Sequence, residues 1–298
     1  MYFRYDIIKY RCILIAVNFI RFFKKKRNID SSNSFFILGS GRNGSTLVAS
    51  ILNADKNIFI PPEQFVLPYA IMKKYLLPYT TNVWQKDVLG MFKEERKTLN
   101  WNAKLKDVII TDKNIYNFFN QIYISYAKSI QKNIKLWGDK TPINIHFIKY
   151  IYPEFKNSKY IYLLRDPRDV VLSYKKLKNH KAVATKYAIW KWKDSVRQLR
   201  YLQKQTNVLL VKYEELVSDP TNEVNKILNY LNLEDNNQLI QSKSTASQMG
   251  VGAKEHHKNL NKEISTDSIG KWKEKLAKED ITQVENECAD YLKEFGYL

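Results

Sequence analysis

Short apolar runs alternate along the chain with longer segments whose apolar residues are spaced as in helices. The runs cover residues 35–38, 58–60, 160–164 and 208–211, and residues 182–203 show the helical pattern. A short, continuous apolar run is typical of a strand that is buried on both faces of a parallel sheet. Because such strands alternate with helices, the pattern predicts an α/β fold in which a parallel β-sheet is flanked by helices.

The first run leads into a glycine-rich turn, GSGRNGST at residues 39–46. A strand, a tight turn and a helix N-terminus together aim backbone N–H groups at a phosphate. Two glycines separated by four residues and followed by Ser45 and Thr46 match a Walker A loop, except that Ser45 stands where the lysine would be. Arg42 can supply a cation instead. The turn therefore favours a phosphate site and disfavours a nucleoside triphosphatase; a turn without a ligand is the alternative.

Two charged residues follow the ends of other predicted strands. Glu63 comes after the second run and two prolines, either in a loop or in the first turn of a helix, and Lys140 precedes Pro142 at a strand-to-helix junction. Ligands of open parallel sheets bind at this edge, so Glu63 is a candidate general base and Lys140 a candidate site residue. The alternatives are a glutamate that stabilises a helix N-terminus and an ordinary surface lysine.

The run at residues 160–164 ends at Arg165, and Asp166 and Pro167 then form a helix start. Ser173 lies about two turns into that helix, where its hydroxyl can face the same phosphate as Arg165. A salt bridge from Arg165 to a neighbouring aspartate, and a helix serine without function, are the alternatives.

Together, these stretches resemble the sulfotransferases that use 3′-phosphoadenosine 5′-phosphosulfate (PAPS). The resemblance extends over residues 35–275 or so and is nearest in character to protein-tyrosine sulfotransferases and related bacterial enzymes. It implies a P-loop-like three-layer sandwich, a sulfotransferase domain over residues 31–298, release of 3′-phosphoadenosine 5′-phosphate (PAP), and no metal requirement.

The resemblance also implies roles for individual residues. GSGRNGST resembles the 5′-phosphosulfate loop, LLRDPRDVVLSY the 3′-phosphate motif, VKYEELVSDP a stretch near the nucleotide, and SIGKW the C-terminal nucleotide loop. The residues implied to bind the donor are Arg42, Asn43, Gly44, Ser45, Thr46, Arg165, Ser173, Tyr213 and, more weakly, Lys271. The implied catalytic residues are Glu63, Lys140 and Arg42.

Glu63 follows Arg42 at the spacing of the family's catalytic glutamate, but the second glutamate of the family's pair is Gln64 here. The serine that contacts the sulfate in the family is Ser265 or Ser268 in this chain. In the implied mechanism, Glu63 takes the proton of the acceptor hydroxyl, and Lys140, Arg42 and loop amides stabilise the departing phosphate oxygen.

Residues 1–30 are predicted to form a basic amphipathic helix. The uncharged stretch at residues 12–20 is shorter than the roughly 20 residues that span a bilayer. A basic cluster follows at residues 24–27. We expect a cytoplasmic protein whose N-terminal helix makes peripheral contact with the anionic inner face of the membrane. The alternative is a helix that packs on its own domain or on a partner. Polar residues recur every seven positions at Arg4, Arg11, Asn18 and Lys25.

The composition narrows the partner classes. The chain has 49 basic and 30 acidic residues, a formal net charge of +19, which favours an anionic partner. The sequence contains no recognised nucleic-acid-binding motif, so we do not expect the protein to bind nucleic acid. Two distant cysteines, Cys12 and Cys288, and four histidines without metal spacing predict neither a disulfide framework nor a metal site.

The acceptor is less defined by the sequence than the donor. We expect the hydroxyl of a saccharide in a glycan, glycolipid or other lipid-linked sugar, with tyrosine or a small alcohol as alternatives. Two rival classes stay open: a P-loop kinase, and a non-enzymatic basic protein that binds a nucleotide, nucleic acid or membrane.

Overall fold

The computed structural model describes residues 7–22, 30–76, 83–93, 101, 105, 108, 114–177, 183–242 and 263–298. Within these residues, five strands form one sheet in the order β2-β3-β1-β4-β5, and every neighbouring pair is parallel. The predicted parallel α/β fold is confirmed. The strands are β1 (Ser34–Leu38), β2 (Ile58–Phe59), β3 (Leu136–Asp139), β4 (Lys159–Leu164) and β5 (Val208–Lys212).

Helices cover both faces of the sheet. They are α1 (Ile7–Phe22), α2 (Ser45–Leu52), α3 (Leu67–Leu76), α4 (Val83–Lys93), α5 (Ile115–Ser129), α6 (Ile148–Ile151), α7 (Pro167–Lys175), α8 (Thr185–Gln203), α9 (Tyr213–Ser218), α10 (Pro220–Tyr230), α11 (Gln238–Gln241), α12 (Trp272–Lys275) and α13 (Lys278–Glu294). Short 3₁₀ turns occupy Pro142–Phe147, Tyr152–Glu154 and Thr266–Ser268.

Side chains of each strand alternate between two apolar cores, as the period of two requires. Phe36 packs in the larger core, where it stacks on Tyr160 of β4 with ring centroids 5.4 Å apart. Phe35 and Ile37 point to the opposite core, which α2, α9, α10 and α11 cover. The result is the expected three-layer sandwich of helices, sheet and helices.

Strand register determines which loops meet at the carboxyl edge of the sheet. Leu164 of β4 is level with Lys212 of β5, so Arg165 and Tyr213, the next residues, emerge side by side. Phe36 of β1 is level with Asp139 of β3, which places Lys140 beside the strand that leads into the glycine-rich turn. β1 lies between β3 and β4, and ligands of open α/β sheets typically bind where the strand order reverses in this way.

Two local features differ from the sequence pattern. The predicted strand at residues 58–60 ends at Phe59, because the Ile60 N–H donates to the Asn53 side chain at 2.7 Å instead of to a strand. The helix that the sequence places after the junction at Lys140 and Pro142 is divided into 3₁₀ and α segments. Prolines occupy the start of both 3₁₀ segments, and a proline has no N–H to continue a helix.

Helix α1 packs on the domain, the alternative that the sequence left open for this segment. Ile7, Tyr10, Leu14 and Val17 are buried, and Arg11 forms an ion pair with Asp194 of α8 at 2.7 Å. Arg11 therefore lies at the interface with the domain. No helix in the described ranges is long and apolar enough to cross a bilayer.

Candidate active site

The glycine-rich turn wraps around the N-terminus of α2. Arg42 and Gly44 both have left-handed backbones, with φ of 59° and 87°. The carbonyl of Gly44 accepts the first helical hydrogen bonds, from the N–H groups of Leu47 and Val48 at 2.9 and 3.2 Å. In this geometry, the N–H groups that begin a helix have no partner inside it and carry the positive end of its dipole. The turn is therefore suited to a phosphate or sulfate group.

Side chains beneath the turn hold it in place. The Tyr174 hydroxyl donates to the Ser40 carbonyl at 2.8 Å, and Lys191 Nζ donates to the same hydroxyl at 2.8 Å. Asn43 Nδ2 donates to the Leu163 carbonyl of β4 at 2.8 Å, and Asn43 is buried. The Asn43 side chain thus anchors the turn to β4.

The Arg42 side chain extends from the glycine-rich turn to α7. Its Nε donates to Ser173 Oγ at 3.0 Å, so Ser173 contacts the arginine of the glycine-rich turn. Because the hydroxyl oxygen accepts this bond, the Ser173 proton stays available for a phosphate oxygen. Burial lowers the pKa of Arg42, and the nearby Arg165 guanidinium acts in the same direction. Two cations close enough to influence each other favour an anion between them.

Arg165 joins three segments of the site. Its Nη1 donates to the Arg42 carbonyl at 3.1 Å and its Nη2 to the Ser268 carbonyl at 2.7 Å. The guanidinium lies 4.2 Å from the centre of the Tyr213 ring, and the Tyr213 hydroxyl is hydrogen-bonded to that of Ser268. A methyl group on Gly44 would lie 2.4 Å from the same ring. Tyr213 therefore packs directly against the glycine-rich turn.

A basic cluster lies beyond Arg165. Asp169 accepts hydrogen bonds from the N–H groups of Gly270 and Trp272, at 2.8 and 3.1 Å, and this fixes the backbone on either side of Lys271 against α7. Burial lowers the pKa of Lys176, and the charges of Lys271, Lys275 and Arg165 lower it further. The three other cations therefore lie within electrostatic reach of Lys176. Sequence reasoning did not single out Lys176, although it follows Ser173 closely in SYKK.

Glu63 and Lys140 form an ion pair, with Nζ of Lys140 2.7 Å from Oε1 of Glu63. The lysine side chain is 1% exposed, whereas that of the glutamate is 29% exposed. Glu63 is thus accessible to an acceptor, while Lys140 reaches it from inside the domain. The Glu63 carboxylate also acts on the Arg42 guanidinium and favours its charged form. The structure therefore brings the predicted base, lysine and loop arginine together.

The remaining predicted residues lie at or near the carboxyl edge of the sheet. Ser45 is buried and Thr46 half-buried in the first turn of α2. Ser268 lies beside Tyr213 and Arg165, whereas Ser265 is exposed. Among the residues that the structure covers, no group of three or more His, Cys, Asp and Glu side chains is arranged to hold a metal ion.

Comparison with known proteins agrees with this geometry. The family model described as "Sulfotransferase family" matches residues 34–237. A Caenorhabditis briggsae protein named "Putative protein-tyrosine sulfotransferase" is 20% identical over 270 residues, which cover 88% of each chain.

Solved structures show the same fold at low identity. The sulfotransferase domain of the Synechococcus PCC 7002 olefin synthase has a TM-score of 0.58 and 22% identity, and the match covers 89% of this chain and 98% of that one. The sulfotransferase domain of the curacin biosynthetic pathway has a TM-score of 0.55 and 21% identity, with 86% and 96% covered. A mouse sulfotransferase, SULT7A1, complexed with PAP, has a TM-score of 0.50 and 15% identity, with 93% and 89% covered. Because the family model matches more than half of the chain, the protein belongs to the sulfotransferase family.

Proposed function

We propose that this sulfotransferase moves the sulfuryl group of PAPS to a saccharide hydroxyl, in a glycan or a lipid-linked sugar, with Glu63 as the general base. Family membership supports sulfuryl transfer from PAPS to a hydroxyl. The observation that carries the proposed role of Glu63 is its 2.7 Å ion pair with Lys140, formed within electrostatic reach of Arg42 in the glycine-rich turn.

The donor would lie across the carboxyl edge of the sheet. Backbone N–H groups of residues 43–46 and the Arg42 guanidinium would hold the 5′-phosphosulfate. Arg165, Ser173 and Lys271 would hold the 3′-phosphate, and Tyr213 would contact the nucleotide. The Arg165 carbon Cζ lies 4.2 Å from the centre of the Tyr213 ring, and this contact supports a guanidinium held in place for a phosphate.

The chemistry would be an in-line displacement at sulfur. The acceptor oxygen forms the new O–S bond, the bond from sulfur to the bridging phosphate oxygen breaks, and PAP leaves with that electron pair. The acceptor proton passes to Glu63, a role worth about 10²–10⁴-fold in rate. Lys140 and Arg42 would stabilise the charge that develops on the bridging oxygen.

The N-terminal helix supports a lipid-linked acceptor. Ile15 on the outer side of α1 is 64% exposed, and Cys12 and Ala16 on that side are also exposed. The chain continues to the basic residues 24–27. An apolar helix surface that basic residues follow in the sequence is suited to an anionic membrane surface, so we propose peripheral contact there, on the inner face.

A tyrosine hydroxyl is the second candidate acceptor, and the name of the Caenorhabditis briggsae relative favours it. The enzyme incubated with radiolabelled PAPS should label a polysaccharide or glycolipid fraction of cells. Labelling of tyrosine-containing peptides alone would replace the saccharide with a peptide acceptor.

Thermal-shift measurements distinguish the other classes. We expect PAP to raise the melting temperature, because a ligand that binds only the native state stabilises it. A shift with ATP and magnesium or with a DNA duplex, and none with PAP, would reject the proposal in favour of a kinase or a nucleic-acid binder.

A further inference from the structure

Two consecutive residues of one loop contact two consecutive residues at the end of β3. Glu63 pairs with Lys140 at 2.7 Å, and Gln64 Nε2 donates to Asp139 Oδ2 at 2.6 Å. The first contact is reachable from outside, whereas Gln64 and Asp139 are only 1% and 2% exposed. A buried contact therefore lies directly behind the pair to which we assign the chemistry.

Asp139 is a buried carboxylate with several donors around it. Asn144 Nδ2 donates to Oδ1 at 3.0 Å, and the Tyr123 hydroxyl of α5 donates to Oδ2, the oxygen that Gln64 also contacts. Burial raises the pKa of Asp139, and the nearby Glu63 charge acts in the same direction. A buried carboxylate needs such donors, so removing one of them is costly.

Gln64 links the loop to two other segments. Its Oε1 accepts hydrogen bonds from the N–H groups of Val66 and Leu67, the latter at 3.0 Å, where α3 begins. Its backbone N–H lies 3.4 Å from Thr141 Oγ1. The Gln64 side chain therefore accepts hydrogen bonds from α3 through its oxygen and donates one to β3 through its NH₂ group. A glutamate has the same shape, but it can donate to β3 only when its carboxyl group is protonated.

We propose that Gln64 and Asp139 are positioning residues that fix the Glu63 carboxylate relative to Lys140 and the reacting hydroxyl. This inference rests on the proposed role of Glu63. A displacement of about 1 Å at a reacting group costs about 10²-fold in rate, so the buried contact controls turnover without touching a substrate. The proposed donor contacts come from other segments, namely the turn after β1, the residue after β4, α7, α9 and the loop before α12, so we expect the buried contact to leave PAP affinity unchanged.

The test is the variant Gln64→Glu, which places two carboxylates 2.6 Å apart at the Asp139 contact. The hydrogen bond across this contact is kept only while one of the two carboxylates holds a proton, and without that proton the two adjacent buried charges repel each other. We expect kcat to fall about 10²-fold at neutral pH. We also expect it to recover partly as the pH is lowered, with PAP affinity unchanged. In the part of the chain that the structure describes, Tyr123 and Glu63 are the titratable groups that interact with Asp139.

The double variant Gln64→Glu with Asp139→Asn restores one donor and one acceptor across the same contact. We expect it to regain at least about 10-fold of the lost kcat at neutral pH, since a charge-assisted hydrogen bond is restored. Wild-type kcat in Gln64→Glu at every pH, or a loss of PAP affinity that the second substitution does not rescue, would overturn the positioning role. Glu63→Gln is measured in parallel: if it keeps full turnover, the proposed base itself is wrong.

Discussion

Arg165 donates a hydrogen bond from Nη1 to the backbone carbonyl of Arg42, at 3.1 Å, although 123 positions separate the two residues. The register of β1, β4 and β5 produces this contact, because it brings the ends of the three strands to one edge. The glycine-rich turn and the arginine after β4 therefore lie together, and we propose that they form one anion site. A ligand with phosphate groups at two ends fits such a pair of cations.

Replacement of Arg165 tests the 3′-phosphate end of this site. Arg165→Ala removes a guanidinium that donates to a carbonyl of the turn, so we expect PAP affinity to fall about 10–100-fold, the loss of one or two charge-assisted hydrogen bonds. Titration calorimetry with PAP measures this. Arg197→Ala, an exposed position on α8, is the matched control and should bind normally. Equal PAP affinity in both variants would reject the role of Arg165.

Gly44 tests the contact between the turn and Tyr213. The Cβ of Gly44→Ala would lie 2.4 Å from the ring, and φ of 87° is unfavourable for alanine. We expect weaker PAP binding and a lower melting temperature. Gly90→Ala is the control: nothing lies within 4 Å of its Cβ in α4, and alanine is the better helix former by about 1 kcal/mol. The account of the turn fails if Gly44→Ala behaves like Gly90→Ala.

His146 makes the fold sensitive to acid. Its Nδ1 lies 2.6 Å from Asp194 Oδ2, its ring stacks on Trp190, and burial lowers its pKa to about 4. Below its ordinary pKa of 6.5, the unfolded histidine binds a proton that the folded one does not. The free energy of unfolding should therefore decrease between about pH 6.5 and 4, by up to about 3 kcal/mol.

Urea unfolding of the wild type and His146→Gln, measured from pH 7.5 to 4.5, checks this dependence. Glutamine keeps a hydrogen-bond donor toward Asp194 but does not titrate. We expect a shallower loss of stability in the variant. Parallel curves for the two proteins would show that His146 does not take up the proton.

Much of the fold and part of the site follow from local sequence. The apolar runs, the glycine spacing and the start of α7 are determined within a few residues, and Asp166 accepts from the Arg168 N–H at 2.8 Å as a helix cap should. The carboxyl edge of a parallel sheet then collects residues that follow strands. For this reason, Glu63 and Lys140 could be placed together before any distance was known.

Contacts between distant segments could not be predicted in this way. The heptad spacing of Arg11 suggested a polar stripe, but its partner, Asp194, lies in α8 and comes close only when α1 packs on the domain. Ser173 contacts Arg42 because of the angle between α7 and the turn, which sequence spacing does not determine. In the sequence, Gln64 is only the position where the family has a second glutamate. Its hydrogen bond to Asp139 depends on how the loop after β2 packs against β3.

The most direct test of the account is the rate of sulfuryl transfer from PAPS by Glu63→Gln, together with its affinity for PAP. Glutamine keeps the size of the side chain but cannot accept the acceptor proton, so we expect turnover to fall about 10²–10⁴-fold with PAP affinity retained. Glu234→Gln, at an exposed position outside the site, is the matched control. Transfer by Glu63→Gln at the wild-type rate would contradict the central claim that this carboxylate is the base.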